Sequence, residues 1–144
     1  MTVVQKQVFG LGANVSRDAE ENTDAVFPTP KPLLLTYDSD SPFEVVIQFM
    51  GIDEPLHLER SSLLSGRFIP QQLGSVRVCP AEGEGLPEGM TFLGRVSGER
   101  ADVAFIPTDE LSDFLSDTQR LVPIGKESMN IDSELERLLG GNDV

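Results

Sequence analysis

Apolar and polar positions alternate most clearly over residues 43–50, FEVVIQFM, where Phe43, Val45, Ile47 and Phe49 oppose Glu44, Val46, Gln48 and Met50. A period of two predicts a strand with the first set facing the core. The run LLLTY (33–37) before it suits a buried strand. After the turn GIDEP, Leu56 and Leu58 alternate with His57 and Glu59 as a hairpin partner. SSLLSGRF then predicts a short helical turn, with Ser61 or Ser62 as its cap and Gly66 as its stop. Three further strands are expected at SVRVCP (75–80), MTFLGRVS (90–97) and ADVAFIP (101–107), the last two forming a hairpin across GER.

Two helices close the pattern. Thr108 is placed to cap one whose first turn holds Asp109 and Glu110 near its positive end, and whose apolar face is Leu111, Phe114 and Leu115. Asn130 or Asp132 opens a second, with Ile131, Leu135, Leu138 and Leu139 as its stripe and Gly140–Gly141 as its stop. Asp132, Glu134, Glu136 and Arg137 lie around the other side of that helix. They form either a partner-binding face or a plain solvated one. At the other end, TVVQKQVFGL is only loosely strand-like. Residues 14–32, polar, acidic and punctuated by proline, read as a loop or connector. Strands in runs with few, late helices predict an α+β fold of antiparallel sheets, as a single domain over residues 1–144.

Composition narrows the function. With 24 acidic and 11 basic residues the net charge is −13, spread along the chain, which disfavours nucleic acid and anionic membrane as partners. The single Cys79 forms no internal disulfide and fits a reducing compartment. The N-terminus lacks the layout of a signal peptide, and no apolar run reaches the roughly 20 residues a membrane span needs, so a soluble cytoplasmic protein is expected.

Candidate chemistry is sparse. Asp38 and Asp40 begin like a calcium loop, but Pro42, Phe43 and Phe49 occupy later positions of that pattern, and Asp and Ser before proline make turns on their own. GLGANV (10–15) has Val15 at the third glycine of a dinucleotide fingerprint and reads as a flexible strand end. GEGLPEG carries Glu84 and Glu88, which would repel a phosphate. His57 falls on the solvent side of its strand, and Cys79 has no basic cluster beside it in sequence. One Cys and one His make a zinc site improbable, so no catalytic, metal or cofactor residue is assigned.

The chain does resemble a known family. LTYDSDSPFEVVIQF matches the Y-D-x-x-D-P-aromatic segment of the SsgA-like proteins through Tyr37, Asp38, Pro42 and Phe43, with Ser41 between Asp40 and the proline. Arg60, Leu63, Gly66, Pro70, Gly74, Val76, Arg77, Val78 and Pro80 fall on that family's R-x-x-L-x-x-G-x-x-x-P-x-x-x-G-x-V-R-V-x-P spacing. Leu111, Phe114, Leu115, Thr118, Val122, Pro123, Gly125, Asp132, Glu134 and Leu135 sit where its C-terminal segments place like residues, so the likeness runs from about 33 to 139. Several dispersed matches in order carry more weight than one pattern. Cys79 stands where the family usually has an aromatic.

The resemblance, of the SsgB type, implies a regulator of sporulation-specific cell division in actinomycetes. Such a protein is a non-catalytic adaptor that helps place septa, in one branch by recruiting the tubulin-like division protein FtsZ. It also implies a whirly-like fold, a homotrimer, contacts with division proteins and other SsgA-like proteins, and a cytoplasmic location at division septa. Most of the matched residues are expected to be structural. Whirly-like folds elsewhere bind single-stranded nucleic acid, the alternative function, which the −13 charge opposes.

Overall fold

The computed structural model describes residues 2–16, 29–49, 54–81, 88–97 and 100–128. Its elements are β1 (Val3–Ser16), β2 (Thr29–Asp38), β3 (Glu44–Phe49), β4 (Leu56–Glu59), α1 (Arg60–Gly66), β5 (Gln71–Leu73), β6 (Val76–Pro80), β7 (Met90–Ser97), β8 (Arg100–Pro107) and α2 (Thr108–Leu121). The strands make one antiparallel sheet in the order β4-β3-β2-β1-β8-β7-β6-β5. This is the expected α+β class.

The connection from β4 to β5 joins the two edges of that sheet. Its seven helical and four other residues reach about 25 Å, from 1.5 Å per helical residue and at most about 3.6 Å per extended one. Eight strands laid flat would set their edges about 33 Å apart, at roughly 4.8 Å per gap. The sheet must therefore curl, and a contact across the curl shows that it does. Arg95, on β7, donates from Nη1 to the Pro55 carbonyl (3.2 Å) and from Nη2 to that of Glu54 (3.3 Å), just ahead of β4.

Inside the curl lies one core. Val8, Leu33, Leu35, Val45, Ile47, Leu56, Leu58, Val78, Leu93 and Ile106 supply its sheet side. Leu63 from α1 and Leu111, Phe114 and Leu115 from α2 fill the opening. Thr118 extends the α2 stripe to i, i+3, i+4 and i+7 and is also buried. Gly66 ends α1 as anticipated, with a reason beyond helix termination. A Cβ there would overlap the Val78 side chain, so glycine lets α1 approach β6.

Several expectations need correction. The apolar set of β3 holds for Val45, Ile47 and Phe49, but Phe43 precedes the strand and is 50% exposed. The reason is a double turn, in which Ser41 N–H donates to Asp38 O and Glu44 N–H to Ser41 O, breaking the alternation before Glu44. Residues 14–16 and 29–32, expected in a loop, belong to β1 and β2, while residues 17–28 lie outside the described residues. Gly10 and Gly12 are thus inside a strand rather than at a flexible end. At Gly10 a Cβ would overlap the Phe105 carbonyl and fall 2.9 Å from Leu33 Cδ1, where β1 passes from β2 to β8.

β5 is a strand that the periodicity did not reveal, since three residues are too few to show a period. Neither helix takes the expected cap. The N-cap positions are Glu59 and Pro107, with no side-chain capping bond, and the Thr108 hydroxyl instead meets that of Thr91 at 2.8 Å. The helix expected over 130–139 lies outside the described residues.

Candidate functional site

The most elaborated polar site in the described structure is built around Arg60. This first residue of α1 is 1% exposed. It is fixed from both sides. Its backbone N–H donates to Phe43 O (2.8 Å), and its guanidinium lies over the Tyr37 ring, 4.9 Å from the centroid. Nη1 donates to the carbonyls of Thr118 (3.1 Å) and Val122 (2.7 Å), and Nη2 donates to Glu127 Oε1 (2.7 Å). A helix leaves its last carbonyls without partners and its C-terminus partly negative, so a buried guanidinium there satisfies acceptors and offsets charge together.

The partners are held in turn. Tyr37 Oη donates to Pro42 O (2.9 Å), Thr118 Oγ1 to Leu115 O (2.7 Å), and the Gly125 N–H to Glu127 Oε2 (2.8 Å). Arg60, by its hydrogen bond, holds the Glu127 carboxyl below the usual range, with its own and the Gly125 backbone N–H helping and desolvation opposing. Burial pushes the Tyr37 hydroxyl up, partly offset by the nearby Arg60 charge. A cavity of about 140 Å³ opens beside this junction, lined by Phe43, Glu59, Arg60, Ser61 and Glu127. Arg60 Nε is buried without a protein partner.

The dispersed residues of the sequence pattern therefore meet in space. Tyr37, Pro42, Phe43, Arg60, Thr118 and Val122 all contribute to this junction, and Leu63, Leu111, Phe114 and Leu115 lie in the core beneath it. Asp38 forms a turn, its Oδ1 accepting from Asp40 N–H at 2.9 Å. Pro70 and Arg77 are exposed, Gly74 takes φ +57° in the β5–β6 turn, Pro80 ends β6 half-buried, and Pro123 is exposed after α2. Asp132, Glu134, Leu135, Glu136 and Arg137 lie outside the described residues.

The sequence reading missed Glu127. A lone acid in a chain with 24 of them gives no signal, and the family spacing that marks Arg60 does not name its partner. The junction's Tyr37 and Thr118 hydroxyls bond backbone carbonyls, and the Glu127 carboxylate pairs with the Arg60 guanidinium and the Gly125 N–H. His57 is exposed on β4 and contacts Glu44, while Cys79 lies on β6, with five strands between them in the sheet order. Among the described residues no group of three or more His, Cys, Asp or Glu is placed to hold a metal, and no helix is long and apolar enough to cross a membrane.

Comparison with known proteins gives the junction its setting. The family model of the Streptomyces sporulation and cell division protein SsgA matches residues 32–127, from just before Tyr37 to Glu127 itself. A solved structure described by mutations in SsgB that correlate to longitudinal cell division during sporulation of Streptomyces coelicolor is 26% identical. It has a TM-score of 0.70, with 90% of this chain and 95% of that one covered. The SsgA-like sporulation-specific cell division protein from Thermobifida fusca YX-ER1 is 27% identical at a TM-score of 0.73, covering 94% and 93%. The comparison with curated proteins finds no match. With the family model spanning more than half of the 144 residues and the same fold in both solved structures, the chain belongs to the SsgA family of sporulation and cell division proteins.

Proposed function

We propose that this protein is a non-catalytic regulator of sporulation-specific cell division. On this reading it helps position septa by binding other proteins of the division machinery, assembles as a homotrimer and works at the septum from the cytoplasm. The observation that carries this reading is the Arg60 junction, together with the family match that encloses it. The residues that a catalytic centre would need to keep free are spent on fixing α1, the end of α2 and the 37–43 turn against one another. What results is a rigid scaffold, and a scaffold acts through its surface. FtsZ recruitment, known for one branch of the family, is the finer form of the same proposal.

A fluorescent fusion expressed in sporulating hyphae tests it. The fusion is expected to form ladders at future septa, and deleting the gene is expected to leave aerial hyphae without regular septation. Diffuse fluorescence together with normal septation in the deletion strain would overturn the proposal. Light scattering coupled to size exclusion checks the trimer separately, and a monomer at micromolar concentration would remove that part alone.

A further inference from the structure

The end of α1 and the β5 edge form a surface unlike the rest of this acidic protein. Residues 60–81 carry three arginines and no Asp or Glu, the longest stretch without a carboxylate side chain in a chain of net charge −13. Arg60 is consumed inside. Arg67 and Arg77 remain, and neither has a carboxylate partner among the described residues.

Arg67 is half-buried and held in place. Nε donates to Leu64 O (3.2 Å), Nη1 donates to Ser112 Oγ (2.8 Å), and the guanidinium stacks over the Phe68 ring at 4.7 Å. Burial pulls it below the usual arginine range. Next to it stand Phe68, 67% exposed, and Ile69, 63% exposed, both in the turn closed by Ser65 O, with Leu73 on β5. The opposite edge of the sheet, by contrast, carries Glu44 and Glu59 on its paired strands.

We infer that the surface made by Arg67, Phe68, Ile69 and Leu73 binds an extended acidic segment of a partner protein, one that carries Asp or Glu beside apolar side chains. Charge complementarity chooses this occupant. A partly desolvated guanidinium with no carboxylate partner among the described residues gains most from a carboxylate, and two exposed large apolar side chains beside it gain from anchors they can cover. The free edge of β5 lies alongside to receive backbone hydrogen bonds. The inference deepens the regulator reading and rests on it for the partner's being a protein.

Random dodecapeptides displayed on phage and selected on the full-length chain test it independently of septation. Enriched peptides are expected to combine acidic and apolar residues, and to lose about tenfold or more in affinity for a Phe68→Ser/Ile69→Glu double variant. Binding should also weaken as salt rises from about 0.05 to 0.5 M. Because both substituted side chains are exposed, the variant is expected to melt as the wild type does. Ile69→Ser serves as a second variant should the first be destabilised. Failure to enrich any peptide, enrichment of basic or uncharged ones, or equal binding by both variants would overturn the inference. So would a change of oligomeric state in the double variant, which would make this surface a contact between copies. None of these outcomes alters the septal-localisation test, so the two readings fail separately.

Discussion

Replacing Arg60 by methionine keeps most of the side-chain volume while removing the charge and every donor. The carbonyls of Thr118 and Val122 would lose their guanidinium, and the Glu127 carboxylate, 13% exposed, would keep the Gly125 N–H and its own backbone N–H. Breaking one side of a buried ion pair costs about 3–5 kcal/mol, and the Thr118 carbonyl still accepts from the Val122 N–H. At roughly 3 °C per kcal/mol for a domain of this size, the melting temperature should fall by about 10–15 °C.

A local reporter is built in. Tyr37 is the only tyrosine, the chain has no tryptophan, and its ring lies under the guanidinium. Tyrosine fluorescence in a urea titration, run beside circular dichroism, therefore reads both the junction and the global transition. The double variant Arg60→Met/Glu127→Leu should be at least about 1 kcal/mol more stable than the sum of the two single losses predicts, because no unpaired charge is left behind. An Arg60→Met protein within about 0.5 kcal/mol of the wild type would refute the reasoning, and so would strict additivity in the double variant.

Glu127 has a depressed pKa in the folded chain, so its contribution to stability is complete above the ordinary 4.5 and disappears as pH falls through the folded value. The stability gap between wild type and Glu127→Gln should accordingly be full at neutral pH and close in acid, and a gap that widened in acid would contradict the ion pair. Tyr37 has a raised pKa, so the folded state holds its phenolic proton longer and stability falls as pH climbs past 10.0. Spectrophotometric titration should place the single phenolate transition above that value. Gly66→Ala, which drives a methyl group into Val78, should cost about 1–3 kcal/mol by thermal melting.

The alternation of β3 and β4, and the i, i+3, i+4 stripe of α2, were legible in the sequence because both periods follow from backbone geometry alone, whereas β1, the longest described strand, alternates too loosely to be read with its full length. Period does not say where a strand ends. Phe43 has the right parity for the β3 core face, yet the turn from Asp38 to Glu44 takes it out of the strand and into solvent. The polar junction was illegible for a different reason. Arg60 meets acceptors 58, 62 and 67 residues further along, and no local pattern distinguishes a buried arginine from a solvated one. The family spacing marked most of these positions without saying that they touch. The charged face expected on the last helix falls outside the described residues.

The position of β1 sets the order in which this sheet can assemble. The first described strand in chain order ends up in the middle, paired over Val3–Gly12 with its near neighbour β2 and over Leu11–Ser16 with β8. The Ser16–Arg100 pairing closes a loop of more than eighty residues, whose length-dependent entropy is about 4 kcal/mol. The β2–β4 and β5–β8 meanders need only short closures, so each half can form early as a local unit. Joining them through β1 is then the slow event of folding. Until it happens both halves expose an unpaired strand edge, and it is in this interval that the newly made protein is most open to aggregation.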